Sequence, residues 1–528
     1  VAEPLILAIG FGEQMMLIVM ALTMIGMLTG TSPLRGIATC FLGLMIGALG
    51  SAPATGVERL SFGTVYLIEP IKLVIMGLAM FAMPEIIDIM RRKQTISDTG
   101  KLITKHGWAQ GVKDTITHWW IVLRCAAIGT LVGIIPGLGG SVVDWIAYSH
   151  AIQTTKDKHL YGTGDVRGVI APESANNAKE GGALIPTLLF GIPGSGSMAI
   201  LLGGFILIGI EPGVEMITFN LDLVYIMVWS VALANIIGAG TCVVLAGQIA
   251  KLTTIRYALI APFMFGLIFF AAFQATRDWG DLITMLILGT LGVYMKRFGW
   301  PRPALLIGFV LADKVEGEVY HTATVYGWTF LERPVVLVLV AITAFSIYAA
   351  VKFKPLPAKL TEDGIHSHKK YGPQMAFLLF TAGFAVLLFT DALQYQYLTA
   401  LYPMMVSVAG LCFIVPLAVL MLMKKEPSTL FHDEERGDFD IDVESKSIEH
   451  YILWIVGMLG VSAIFGFVIG ISAFIYAFVR IKAKLTHFYS AVSAASFIVF
   501  LGTLSHFLTL RYPEGLLQDF IELPWPLQ

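Results

Sequence analysis

Apolar residues in this chain come in long unbroken runs, not in the alternating or one-faced patterns of soluble elements. Runs that span a bilayer, or nearly so, recur at roughly 14–31, 34–50, 66–84, 119–136, 198–211, 221–249, 256–274, 281–295, 303–315, 334–352, 375–391, 398–423, 451–482 and 486–510, against the 20 or so residues that a spanning helix needs. They predict about 13 to 15 membrane segments. The run at 451–482 is long enough for two short helices meeting around Gly466 to Gly470. The alternating strands of roughly ten residues that mark a membrane barrel are not found. The pattern predicts an all-α, polytopic integral membrane protein.

Composition agrees: 56% of residues are hydrophobic, 14% are charged, and mean hydropathy is +0.77. Soluble domains carry more charge and less apolar residue than this. Cys40, Cys125, Cys242 and Cys412 stand singly, without CxxC pairs or His at ligand spacing, so neither a disulfide framework nor a metal site is expected. Lys and Arg fall in short loops and form no basic face, which argues against nucleic acid as a partner. The chain opens as VAEPLILAIGFGEQMM, without an initiator Met or the features of a signal peptide. We expect it to begin inside a longer protein.

Three polar stretches divide the runs. MRRKQTISDTGKLITKHGWAQGVKD carries Arg91, Arg92, Lys93, Lys101, Lys105 and Lys113 and is the cytoplasmic candidate under the positive-inside rule. Residues 352–373, with prolines and charges, read as a linker between a unit at 1–351 and a second at 374–528. An acidic stretch at 424–450 reads as a solvated loop. An internal echo relates IATCFLGLMIGALG and ERLSFG (37–50, 58–63) to LITMLILGTLG and ALLIGF (282–292, 304–309). Such repeats, often of inverted topology, build one site between two halves in transporters.

Two segments break the helical pattern: GTLVGIIPGLGGSVVDW at 129–145 and GGALIPTLLFGIPGSGSMAI at 181–200. Proline removes a backbone donor and glycine lets the chain turn away, so both should stop being helix at their PG pairs. Within lipid, such a break survives only where protein buries it or a water-filled cavity solvates it. A helix N-terminus freed there suits a carboxylate, and freed carbonyls suit Na+. The candidates at the second break are Thr187, Pro193, Gly194, Ser195, Gly196 and Ser197, with Asn176 and Asn177 upstream as neutral donors and acceptors. At the first they are Pro136, Gly137, Gly139, Gly140, Ser141 and Asp144. PG pairs are also common as plain kinks, Asp144 suits a helix end in water, and Lys179 and Arg167 suit loop charges as well as solute contacts. Glu316 and Glu318 in LADKVEGEVY read as marking a helix that leaves the membrane.

GIIPGLGG, then GVIAPESANNAKEGGALIPTLLFGIPGSGSMAILLGG, then GIEPG at 209–213 and ERPVVLVL at 332–339 resemble the large membrane subunit of the tripartite tricarboxylate transporter family, TctA, over about residues 10–350. Residues 374–528 resemble the family's small four-helix subunit, TctB, through GFVIGISAFIYAFVRIKAK at 466–484 and RYPEGLL at 511–517. The resemblance places residues 1–90 at the tail of a first repeat and 119–351 in the second. It leaves roughly a hundred residues, with the first repeat's own breaks, unaccounted for upstream.

The resemblance implies a secondary transporter in the bacterial inner membrane, fed by a periplasmic solute-binding protein and importing a tricarboxylate or related organic carboxylate with Na+ or H+. No other cofactor is implied, and no GxxxxGK[ST] loop for ATP occurs. A membrane enzyme acting on lipid or isoprenoid phosphate is the alternative, but neither HExxH nor a DDxxD-like run is present. A non-transporting membrane protein is a further alternative.

Overall fold

A computed structural model describes residues 10–28, 33–91 except 54, 107–134, 139–252 except 162, 211, 214, 215 and 217, 257–352, 371–423, and 447–520 except 509. The chain is an all-α, multi-pass membrane protein. Its helices are α1 Phe11–Leu28, α2 Pro33–Gly47, α3 Leu73–Arg91, α4 Gly107–Thr117, α5 Trp119–Ile134 and α6 Gly139–Thr154. Then come α7 Arg167–Phe190, α8 Gly196–Leu207, α9 Leu221–Leu252, α10 Tyr257–Phe273, α11 Trp279–Arg297 and α12 Arg302–Val325. The last are α13 Pro334–Lys352, α14 Tyr371–Ala392, α15 Tyr397–Met423, α16 Ile448–Phe465, α17 Phe467–Ile481 and α18 His487–Leu508.

Apolar runs and full crossings are not the same thing. Among the described residues, six helices are long and apolar enough to cross a membrane, or seven if the pair α4 and α5, bent by 77°, makes one span. Six more apolar stretches are only 10–17 residues long. At 1.5 Å per residue a 15-residue helix covers only about 22 Å of a core about 30 Å thick. The end of the polar stretch at Met90–Asp114 yields α4, and the segment at 161–183 is largely α7; both lack the continuous apolar run by which the other helices announce themselves.

Two compact units form, each from several pieces of chain: Val1–Pro70, Ile103–Leu245 and Gly299–His432 in one, and Ile71–Leu102, Ala246–Phe298 and Asp433–Gln528 in the other. The segment at 374–528 therefore contributes to both units. The linker at 353–370, the loop at 424–446 and most of the basic stretch, at 92–106, lie outside the described residues.

In the first unit α5, α6 and α7 share a small-residue core of Ile121, Cys125, Val143, Ala147, Ala151, Ala171 and Ala175. Small residues let the backbones approach closely: a Cβ added to Gly129 would lie 2.1 Å from the Ala175 carbonyl oxygen, one on Gly133 2.2 Å from that of Lys179, and one on Gly182 2.2 Å from that of Thr130. Helices α2 and α12 cross in the same way, Gly43 against Leu305 and Gly308 against Cys40. Helix α1 is fastened to the start of α13 by Arg333, whose Nε donates to Glu13 Oε1 at 2.5 Å.

A two-stranded antiparallel hairpin, β1 Gly50–Ser51 and β2 Glu58–Arg59, follows α2. The echo in sequence is thus not an echo in backbone at its second half, because 58–63 is strand and turn whereas 304–309 is helix.

In the second unit α3 packs on α10 and α11, with a π-helical turn at Leu78–Ala82. The run at 451–482 divides as expected: α16 ends and α17 begins at Gly466, whose φ of 93° and ψ of 155° suit only glycine. The RYPEG segment is held against this corner. Pro513 O accepts from Phe467 N at 3.1 Å, Arg511 O from Gln274 Nε2 at 2.8 Å, and Glu514 O from Trp279 Nε1 at 2.8 Å.

Candidate functional site

The second break is a single interruption. Helix α7 runs through Pro172 and Pro186 without stopping and ends at Phe190, where Gly191 takes a left-handed φ of 61°. The chain then crosses Ile192, Pro193 and Gly194 to Ser195, which caps α8 by accepting from Met198 N at 3.3 Å. Gly191 to Ser195 are all buried. Protein therefore covers the exposed backbone, which is one of the two ways such a break persists in a membrane.

The covering groups come from several helices. Pro186 O accepts from Ile192 N at 3.1 Å, and Leu188 O from Gly213 N at 2.9 Å. Lys314 of α12 reaches across and donates Nζ to Phe190 O at 2.6 Å, placing its charge at the negative end of α7. Gly194 leaves no room for a side chain, since a Cβ there would stand 2.9 Å from Ala183 Cβ and 3.2 Å from Gly133 O.

A polar relay lies on the other side of the break. Lys179, only 7% exposed, donates Nζ to Glu180 Oε1 at 2.7 Å, while Ser195 Oγ donates to Glu180 Oε2 at 3.3 Å. A carboxylate of the chain itself thus stands by the positive end of α8, where an anion is favoured. Asp144, one turn into α6, lies in the field of both Glu173 and Lys179, and its Oδ1 is buried without a hydrogen-bond partner.

The structure brings Asp144, Lys179 and Ser195 into this neighbourhood, with Pro193 and Gly194 packed in the break and Gly196 opening α8. Asn176 is half-buried on α7 and Asn177 is exposed. Thr187 is turned inward, its hydroxyl donating to Ala183 O at 2.7 Å within its own helix, and Ser197 is exposed. Pro136 and Gly137 lie outside the described residues; Gly139, Gly140 and Ser141 are placed only as the first turn of α6.

Sequence reading missed Glu180 and Lys314. Glu173, Asn176 and Glu180 share one helical face at i, i+3 and i+7, a signal visible only once the stretch is read as helix. Lys314 gives no local signal, being 124 residues from the carbonyl it holds. Glu316 and Glu318 do not stand at a helix end. Both are buried in a continuous α12, and Glu316 receives a bidentate pair from Arg59, at 3.0 and 2.8 Å. The Glu316 carboxylate has its buried partner in a hairpin 257 residues away.

The tripartite tricarboxylate transporter TctA family model matches residues 1–307, more than half of the chain and all of the break region. The chain belongs to the TctA family. Its similarity extends to an uncharacterized 52.8 kDa protein in the TAR-I ttuC' 3' region of Agrobacterium vitis, 29% identical over 352 residues, which is 64% of this chain and 67% of the relative. An uncharacterized protein in the TAR-II ttuC' 3' region of the same organism is 32% identical over 188 residues, 36% of this chain and 78% of the relative. No solved structure matches. As a TctA family member the chain is a membrane component of a tripartite transporter, and Lys314 lies beyond the matched region.

Proposed function

We propose that this TctA family protein is the permease of a secondary transporter in the bacterial inner membrane, importing tricarboxylates or related organic carboxylates with Na+ or H+. A periplasmic solute-binding protein would deliver the solute. Residues 374–528 would act as the fused TctB-like partner, and the bilayer would be its surroundings. The observation that carries the reading is the buried break between α7 and α8, with Glu180 at the α8 N-terminus and Lys179 beside it.

In this reading the solute carboxylate takes the place of the Glu180 carboxylate against Lys179 and Ser195, while Asp144, Asn176 and Asn177 border the path. Exchange of one carboxylate for another keeps Lys179 neutralised at every stage. Thr187, Pro193, Gly194, Gly196 and Ser197 then shape the break without holding the solute.

The test is uptake of labelled carboxylates into proteoliposomes containing the full chain and its binding protein, under an imposed Na+ or proton gradient. Gradient-dependent uptake that falls in Lys179→Met and Glu180→Gln supports the reading. No uptake under either gradient would overturn it.

A further inference from the structure

Helix α12 carries an uncommon density of ionisable groups at its centre: Asp313, Lys314, Glu316 and Glu318 in six residues of a helix from Arg302 to Val325. Three have assigned surroundings. Glu316 pairs with Arg59, Asp313 lies in the field of that same arginine, and Lys314 binds the Phe190 carbonyl. Glu318 does not fit this pattern. It is 9% exposed, and its Oε2 is buried without a hydrogen-bond partner.

One turn further on, Thr322 repeats the anomaly. It is 2% exposed, and its Oγ1 also has no partner, although a helical threonine usually bonds its hydroxyl to the carbonyl one turn back. Lys314, Glu318 and Thr322 stand at i, i+4 and i+8 and so share one face of α12, the face whose Lys314 reaches the α7 break. Two buried oxygens without partners, one of them on a carboxylate, thus belong to residues one turn apart on the same face of α12. A buried carboxylate without a counter-charge costs several kcal/mol. Lys314 supplies part of that charge through space, but its ammonium is directed at Phe190.

Charged side chains on the packed neighbours do not fill the gap. Helix α8 has no titratable residue, and Glu13 of α1 is held by Arg333. Among the described residues, Arg35 of α2 and Glu332 of the short 3-10 helix Gly327–Glu332 are further charged groups on elements packed against α12, while Arg59 of β2 is taken up by Glu316. None of them supplies a hydrogen bond to Glu318 Oε2.

We infer that Glu318 and Thr322 are ligands of a monovalent hard cation, Na+, bound on α12 behind the α7–α8 break. A hard cation takes carboxylate and hydroxyl oxygens together, and the two unpartnered oxygens offer it one of each. In the proposed transport this ion would be the coupling ion, and the inference rests on that reading only for this role. Its position one turn from Lys314 links ion binding to the carbonyl end of α7, and hence to the break.

The test needs neither solute nor binding protein. The purified full chain in detergent is melted over a series of NaCl concentrations, with choline chloride holding ionic strength constant. A ligand that binds only the folded state raises the melting temperature with its concentration. Na+ is expected to stabilise the wild-type chain, and Glu318→Gln and Thr322→Val to weaken its apparent affinity at least about tenfold. Both variants keep side-chain shape, and their melting in choline alone reports whether they fold.

No Na+ effect beyond choline in the wild-type chain, or the same Na+ effect in both variants, overturns the site. So does stabilisation that follows pH and ignores Na+, which would assign Glu318 to a proton. Na+ binding lost in both variants but without carboxylate uptake in liposomes would keep the site and reject the transport reading. Na+-driven uptake with binding unchanged in both variants would do the reverse.

Discussion

Gly181 and Gly182 are neighbours in the motif, yet they face opposite surroundings, and replacing each by alanine separates packing from local propensity. Gly181 is exposed with nothing within 4 Å of an added Cβ, whereas a Cβ on Gly182 would lie 2.2 Å from the Thr130 carbonyl oxygen and 3.1 Å from Thr130 Cα. Ordinary contact begins at 3.4 Å, so α5 and α7 must separate by about 1.2 Å at that point, and backbone cannot rotate away as a side chain does. Overpacking of this kind costs about 1–3 kcal/mol. Both substitutions gain about 1 kcal/mol of helix propensity. Gly181→Ala should therefore be neutral or stabilising, and the two variants should differ by about 1–3 kcal/mol. The assay is apparent melting temperature in detergent, read by size-exclusion chromatography of heated samples, alongside uptake in vesicles. Gly182→Ala should melt lower and transport less, because the same contact positions Lys179. Equal behaviour of the two variants would refute the close-packed α5–α7 contact.

Breaking the buried Arg59–Glu316 pair from either side should cost about 3–5 kcal/mol and lower membrane yield, while Arg59→Met with Glu316→Leu should recover much of it; equal losses in single and double variants would contradict this. Ser195→Ala removes the acceptor of Met198 N and a donor to Glu180, and should cost about 1 kcal/mol and reduce uptake, whereas Ser197→Ala at an exposed position should do neither. The hydrogen bond from Arg167 holds the Asp165 carboxyl below the usual carboxylate range. The stability it adds to the first turn of α7 is present above the unfolded value of about 3.9 and lost as pH falls through the folded one; protection from hydrogen exchange there, relative to the intrinsic rate at each pH, should fall on acidification in the wild type and not in Asp165→Asn. Gly466→Ala places a side chain at φ 93° with Gln518 Oε1 2.5 Å away, and should cost about 1–3 kcal/mol in thermal stability.

Much of the secondary structure was legible because membrane helices announce themselves by unbroken apolarity. The run at 334–352 is α13 to the residue, and the split of 451–482 at glycine was expected from length alone. Where the apolar signal fails, so did the reading. Helix α7 shows no apolar run because Glu173, Asn176, Asn177, Lys179 and Glu180 interrupt its hydropathy, although their spacing is helical. Of the two prolines in GGALIPTLLFGIPGSGS, Pro186 is absorbed inside α7 and only Pro193, in its PG pair, marks an interruption.

Sequence by itself determined the membrane class, the family, the helical runs and the location of the break at GIPGS, since each depends on composition or short-range order. Tertiary structure alone decided which groups meet there. Lys314 reaches Phe190, Arg59 reaches Glu316, and Glu318 and Thr322 keep oxygens without partners. The physical reason is that a buried charge must find its partner in three dimensions, and the partners here are more than a hundred residues away along the chain. Local propensity shapes a helix but carries no record of what will stand opposite it.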